Sequence, residues 1–216
     1  MYHAKNTMNK KQLPEFNPKI SGNFCADILE KLNIEGILIG RLAVWAWLPE
    51  NSNKQAYTKD VDIAVTKADL SEIKNYFQNK NYKVKELLIG GLNVKDDKDI
   101  NVDFIDRSSI EWADYSTLFK EAIDEAVNSK RKITVGEKDL YLVSSGYLIA
   151  MKLATCEMKD ENDAKLLLKE VDDIDIRGLR DILSKYLGSA GRTRFEIILR
   201  DIGHKESRLL RYQKEG

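Results

Sequence analysis

The sequence predicts an α/β (α+β) protein, a mixed sheet with flanking helices followed by a C-terminal helical bundle. Three observations lead there. Short β-branched runs alternate with helix-period stretches through the first two thirds of the chain, the mark of crossover connections. A polar, glycine-containing stretch between Leu88 and Ile100 reads as a hairpin, so part of the sheet is antiparallel. From about Ser144 onward only helical periodicity remains. This divides the chain into a lead-in over 1–20, an α/β domain over 21–143 and a helical domain over 144–216.

The elements follow in order. Residues 1–20 are polar, with Pro14 and Pro18 near their end. Ser21–Leu32 reads as a helix with Phe24, Ile28 and Leu32 on one stripe. Gly36–Ile39 is a short buried-type strand, Leu42–Trp47 a packed helix that includes Trp45 and Trp47 as core, and Pro49–Tyr57 a polar loop. Asp60–Val65 is a strand, and Thr66-Lys67-Ala68-Asp69 is a capping box opening a helix to about Gln78. Tyr82–Leu88 and Ile100–Ile105 are strands, with Gly90-Gly91 a turn or bulge between them. Beyond the boundary, helices are expected over Ser144–Glu157, Asp160–Val171, Ile176–Leu187 and Arg194–Tyr212.

Composition limits the function classes. The 216 residues suffice for one substantial domain with a small helical partner. Formal charge is zero, with 35 basic and 35 acidic residues, so nucleic-acid binding would need a local patch. The basic residues from Arg192 to Lys214 are diluted by Glu196, Asp201, Glu206 and Glu215, and read as a solvated helix face. Two cysteines and two histidines leave no disulfide framework, CxxC site or zinc cage. No apolar run reaches the roughly 18 residues of a membrane span, and the start of the chain lacks a signal-peptide core. A reducing, cytoplasmic setting is expected, with no membrane partner.

The chemistry concentrates in Asp60-Val61-Asp62. Alternate strand residues share a face, so the two acids point one way while Val61, Ile63 and Val65 point the other. Like charges about 4 Å apart repel by roughly 4 kcal/mol at an effective dielectric near 20. A divalent cation removes that penalty, and Mg²⁺ favours such hard oxygen ligands. Two further Asp-x-Asp pairs have plainer explanations. Asp97-Lys98-Asp99 sits in a polar turn, and Asp173-Ile174-Asp175 precedes a helix that it can cap. Asp103, between Val102 and Phe104, supplies a third acid on a neighbouring strand. Three such carboxylates can hold two metal ions about 4 Å apart, the arrangement used for in-line phosphoryl displacement.

These residues resemble the nucleotidyltransferase superfamily, whose pattern is a strand, hG[G/S], a helix, a strand with [D/E]h[D/E], and later h[D/E]h. Here the pattern is Ile39-Gly40-Arg41, Asp60-Val61-Asp62 and Val102-Asp103-Phe104. Within it the chain looks most like the AbiEii-like toxin branch of minimal nucleotidyltransferases, on Thr58-Lys59-Asp60-Val61-Asp62, Met151-Lys152-Leu153-Ala154 and Lys159-Asp160-Glu161-Asn162-Asp163. The resemblance spans about Gly36 to Leu168. It implies a nucleotidyltransferase-like sheet and transfer of a nucleoside monophosphate from an NTP to a hydroxyl. Asp60, Asp62 and Asp103 would hold two Mg²⁺ ions, or Mn²⁺. Gly40, Arg41, Thr58, Lys152, Lys159 and Asp160 would bind nucleotide and phosphate; Lys152 reads equally as a lysine snorkelling at the core edge, and Lys159, Asp160 and Asp163 also read as a helix start with favourable charge. The acceptor would be a tRNA 3′ end or a protein, and a cognate antitoxin would accompany a toxin. Arg41 departs from the family's Gly or Ser; it can clamp a triphosphate or mark a non-catalytic binding module. An antibiotic-modifying enzyme would use the same acids. Tyr141 and Tyr147 are candidates to stack on a base.

Overall fold

The computed structural model describes residues 18–49, 52, 58, 60–78, 80–96, 100–109 and 115–207. Its first helix, α1 (Pro18–Leu32), begins three residues before the expected Ser21. Proline suits that position, because its φ is already helical and the missing N–H would have had no partner. A short strand β1 (Ile37–Leu38) leads into α2 (Gly40–Trp47), then β2 (Val61–Ala64) and α3 (Lys67–Phe77). The capping box read from the sequence is present at α3. Thr66 Oγ1 accepts from the Asp69 N–H while the Asp69 carboxylate accepts from the Thr66 N–H. The polar loop expected over Pro49–Tyr57 lies outside the described residues except for Pro49 and Ser52, as does the Asp97-Lys98-Asp99 turn.

The single hairpin expected between Leu88 and Ile100 is instead a three-stranded meander. It consists of β3 (Lys83–Glu86), β4 (Gly91–Lys95) and β5 (Asn101–Ile105), with antiparallel pairing throughout. Gly90 (φ +87) lets the chain turn tightly enough to start a strand at once, and Leu92 and Val94 alternate into the core. Helix α4 (Ser116–Asn128) and the hairpin β6 (Lys132–Val135) and β7 (Lys138–Leu142) are additional to the sequence reading. The signal for α4 is an apolar stripe of Leu118, Phe119, Ala122, Ile123 and Ala126, all buried.

Helices α5 (Ser145–Ala154), α6 (Met158–Glu170) and α7 (Ile176–Asp201) complete the chain. The Asp175 side chain caps α7 by accepting from the Arg177 and Gly178 N–H groups, the role expected for that acid. Helix α7 is two helical segments joined at Gly188 (φ 64, ψ −158). Arg180 Nε donates to Glu196 at 2.6 Å although 16 residues separate them. A straight helix would set them about 24 Å apart at 1.5 Å per residue, so the chain reverses at Gly188. The second segment ends at Asp201, short of the expected Tyr212. There Gly203 (φ +69) and the His204 N–H to Leu199 carbonyl bond close the last turn.

The seven strands form one mixed sheet in the order β3-β4-β5-β2-β1-β7-β6. β2 is parallel to β5, β1 is antiparallel to β2, and β1 is parallel to β7. A single buried cluster joins strand residues such as Val61, Ile63, Val102 and Phe104 to Leu148, Leu153 and Phe195 of the later helices. Trp47 is part of this joint, its Nε1 donating to the Val143 carbonyl at 2.9 Å. Among the described residues no helix is long and apolar enough to cross a membrane.

Candidate active site

Register brings the acids together. In the parallel pair β2–β5, Val61 stands beside Val102 and Asp62 beside Asp103. The apolar partners Val61, Ile63, Val102 and Phe104 are fully buried, so pleating turns the intervening acids to the opposite face. There Asp60, Asp62 and Asp103 offer carboxylate oxygens that all lie within 4.8 Å of one another. Each of the outer two is oriented by a neighbour. Thr58 Oγ1 donates to the Asp60 carboxylate at 3.2 Å, and Asn93, paired with Asp103 across β4–β5, donates Nδ2–H to the Asp103 carboxylate.

Two of the three acids resist ionisation. Burial first, and then the charges of Asp60 and Asp103, push Asp62 up to about 7. Burial also raises Asp103, although the hydrogen bond from Asn93 works against it. Three half-buried hard-oxygen donors that repel one another form a donor set suited to a small divalent cation.

Gly40 completes this wall. It opens α2 at φ +66, and a Cβ there would lie 1.8 Å from Asp62 Oδ2. The first turn of α2 therefore approaches the acids as no other residue type would allow, and its N-cap Ile39 supplies no side-chain hydrogen bond.

Helices α5 and α6 form the facing wall of a cleft of about 480 Å³. Lys152 Nζ donates to Asp160 at 2.6 Å and lies 3.0 Å from Asp163 Oδ2 without the alignment of a hydrogen bond. Arg41 pairs with Asp163, which is 1% exposed. Two cations and two carboxylates thus neutralise one another and tie the glycine turn to α6. Lys159 pairs with Glu157 at 3.0 Å at the cleft edge.

The residues nominated from the sequence, Gly40, Arg41, Thr58, Asp60, Asp62, Asp103, Lys152, Lys159 and Asp160, all line this one cleft. Asp163 sits behind it as a structural partner. Tyr141 and Tyr147 are not among its described lining residues; Phe119 of α4 is the aromatic side chain there. Tyr147 donates its hydroxyl to Glu121 at 3.4 Å, and Tyr141 lies under the ammonium of Lys132. Sequence reading missed Asn93, whose signal is its register opposite Asp103, and Arg107, which follows β5 and has no motif around it.

No family model matches the sequence, and no curated protein does. Solved structures do resemble it. One is an antigenic nucleotidyltransferase-like protein from Paracoccidioides brasiliensis, at 12% identity and TM-score 0.47, covering 85% of this chain and 92% of that one. Another is the antibiotic-resistance factor ANT(2″)-Ia, at 13% identity and TM-score 0.47, covering 86% and 96%. A third is a lincosamide antibiotic adenylyltransferase bound to lincomycin, at 12% identity and TM-score 0.44, covering 69% and 95%. Likeness at this level assigns neither family nor chemistry to the chain.

Proposed function

We propose that the protein is a metal-dependent nucleotidyltransferase that moves a nucleoside monophosphate from an NTP to a hydroxyl acceptor and releases pyrophosphate. The observation that carries this reading is the triad of Asp60, Asp62 and Asp103, set by strand register on one face of the sheet beside the glycine turn. These three residues would hold divalent cations, Mg²⁺ or Mn²⁺. Bound there, the metal would lower the pKa of the acceptor hydroxyl and neutralise charge on the departing pyrophosphate.

The chain's own residues have distinct tasks in this scheme. Thr58 fixes the rotamer of Asp60, and Asn93 fixes that of Asp103. Asp103, with one oxygen held by Asn93, positions the acceptor hydroxyl and accepts its proton as the oxygen attacks the α phosphorus. The bond between the α phosphorus and the bridging oxygen to the β phosphorus breaks in the same step. Gly40 lets the first turn of α2 direct its N–H groups at the triphosphate. Lys152 contributes positive charge from the facing wall while remaining bound to Asp160. The tRNA, protein and small-molecule acceptors, and a toxin role with an antitoxin, are finer readings of this same reaction.

The test supplies each NTP, radiolabelled at the α phosphorus, with Mg²⁺ and total tRNA, protein extract or a set of aminoglycosides and lincosamides. Label entering one fraction with wild type, and absent with Asp62→Ala, supports the reading and identifies the acceptor class. Absence of Mn²⁺ binding to the wild-type protein by electron paramagnetic resonance would sink it.

A further inference from the structure

The described cations lining the cleft are Arg41, Arg107, Lys152 and Lys159. Arg41, Lys152 and Lys159 are each held by a carboxylate of the chain itself. Arg107 has no carboxylate partner among the described residues, yet it is only 9% exposed. A buried guanidinium stays charged and presents five N–H donors, so an unpaired one is unfavourable unless an anion meets it. Burial pushes its pKa down from the usual range, and the charges of Tyr115, Asp160 and Glu157 oppose this without pairing with it.

The backbone holds Arg107 in this position deliberately. Its φ is +56, a left-handed conformation that a long side chain rarely adopts. Four hydrogen bonds impose it. The Arg107 and Asp106 N–H groups both donate to the Gly90 carbonyl at 3.3 Å. Asp106, itself buried, accepts from the Ser108 N–H at 3.2 Å and the Ser108 hydroxyl at 2.7 Å. Gly90 is required for this closeness, since a Cβ there would lie 2.5 Å from Asp106 Oδ1. A strained backbone supported on two sides, presenting to a cleft a cation with no carboxylate partner among the described residues, is the pattern of a ligand clamp.

We propose that Arg107 is an oxyanion-binding residue that clamps a phosphate group in the carboxylate cleft. Its planar fork suits bidentate capture of two phosphate oxygens. The proposal rests on the nucleotidyl-transfer reading only for which phosphate is captured: one from the nucleotide's polyphosphate, or one from the backbone of a nucleic-acid acceptor.

The test measures calorimetric binding of inorganic tripolyphosphate with Mg²⁺, and separately of a short single-stranded RNA, to wild type, Arg107→Asn and Arg107→Lys. Asparagine tolerates the left-handed backbone, so the fold is expected to persist, and Arg107→Gly serves as a second neutral variant. Arg107→Asn is expected to weaken tripolyphosphate binding by about ten- to a hundredfold, the range for a lost charge-assisted hydrogen bond, with partial recovery in Arg107→Lys. A loss confined to the RNA arm supports the clamp and assigns it to the acceptor's phosphate. Unchanged affinity in both arms, with native circular dichroism, overturns the proposal. A dependence of tripolyphosphate binding on Arg107 in a protein that transfers no nucleotide supports the clamp while refuting the transfer reading.

Discussion

Replacing Asp62 by asparagine should stabilise the metal-free protein at pH 8 and abolish its stabilisation by Mg²⁺. The carboxyl of Asp62 is pushed from 3.8 to about 7 by burial and by the charges of Asp60 and Asp103. The sign follows from linkage. A carboxyl with a raised folded pKa binds its proton more tightly when folded, so metal-free stability falls as pH rises from about 4 to about 7 and stays reduced above. Three units at about 1.36 kcal/mol each give an upper bound of about 4 kcal/mol at pH 8. At pH 5 the same reasoning leaves about 1.6 kcal/mol, since only the interval above 3.8 counts. Water entering the open cleft lowers both figures, so a pH-dependent difference of at least about 1 kcal/mol is expected. Urea unfolding of wild type and Asp62→Asn in EDTA at pH 5 and pH 8, repeated with Mg²⁺, measures it. A variant less stable than wild type at pH 8 in EDTA, or an advantage equal at both pH values, would refute the reasoning.

Other perturbations separate the remaining parts of the site. Gly40→Ala sets a Cβ 1.8 Å from Asp62 Oδ2 on a backbone at φ +66, and should lower stability by about 1–3 kcal/mol and weaken Mn²⁺ binding, read by unfolding and titration. Asp163→Ala leaves Arg41 and Lys152 without a shared buried partner, and should destabilise by about 3–5 kcal/mol in thermal or urea unfolding. Thr58→Val removes the hydroxyl bonded to Asp60; stability should change by about 1 kcal/mol or less while the transfer rate falls about tenfold. Asn93→Leu deletes the hydrogen bond that opposes the raised pKa of Asp103, so the acid limb of a pH–rate profile should move to higher pH.

The parts of this architecture legible in the sequence are those governed by local chemistry. The capping box at Thr66, the cap at Asp175, the turn at Gly40 and the alternation around Asp60–Ala64 each announce themselves within a few residues. The mixed sheet and the helical C-terminal segment followed from periodicity, and the structure has both. Strand β4 was hidden because five residues between glycines and a polar turn carry too little alternation to distinguish strand from loop. Long-range pairing was hidden as well. Nothing local in Arg41 reveals that it pairs with Asp163, 122 residues away. Arg107 was invisible for a related reason: its buried place at the cleft depends on the Gly90 and Asp106 contacts, which no spacing encodes.

Which phosphorus moves is the most direct test of the account. The protein would be given the preferred NTP with Mg²⁺ and acceptor, labelled in one reaction at the α phosphorus and in a parallel one at the γ phosphorus. Nucleotidyl transfer at the Asp60, Asp62 and Asp103 cluster predicts that α label joins the acceptor and γ label leaves as pyrophosphate, both lost in Asp62→Asn. Transfer of the γ label to the acceptor, or its release as inorganic phosphate, would contradict it.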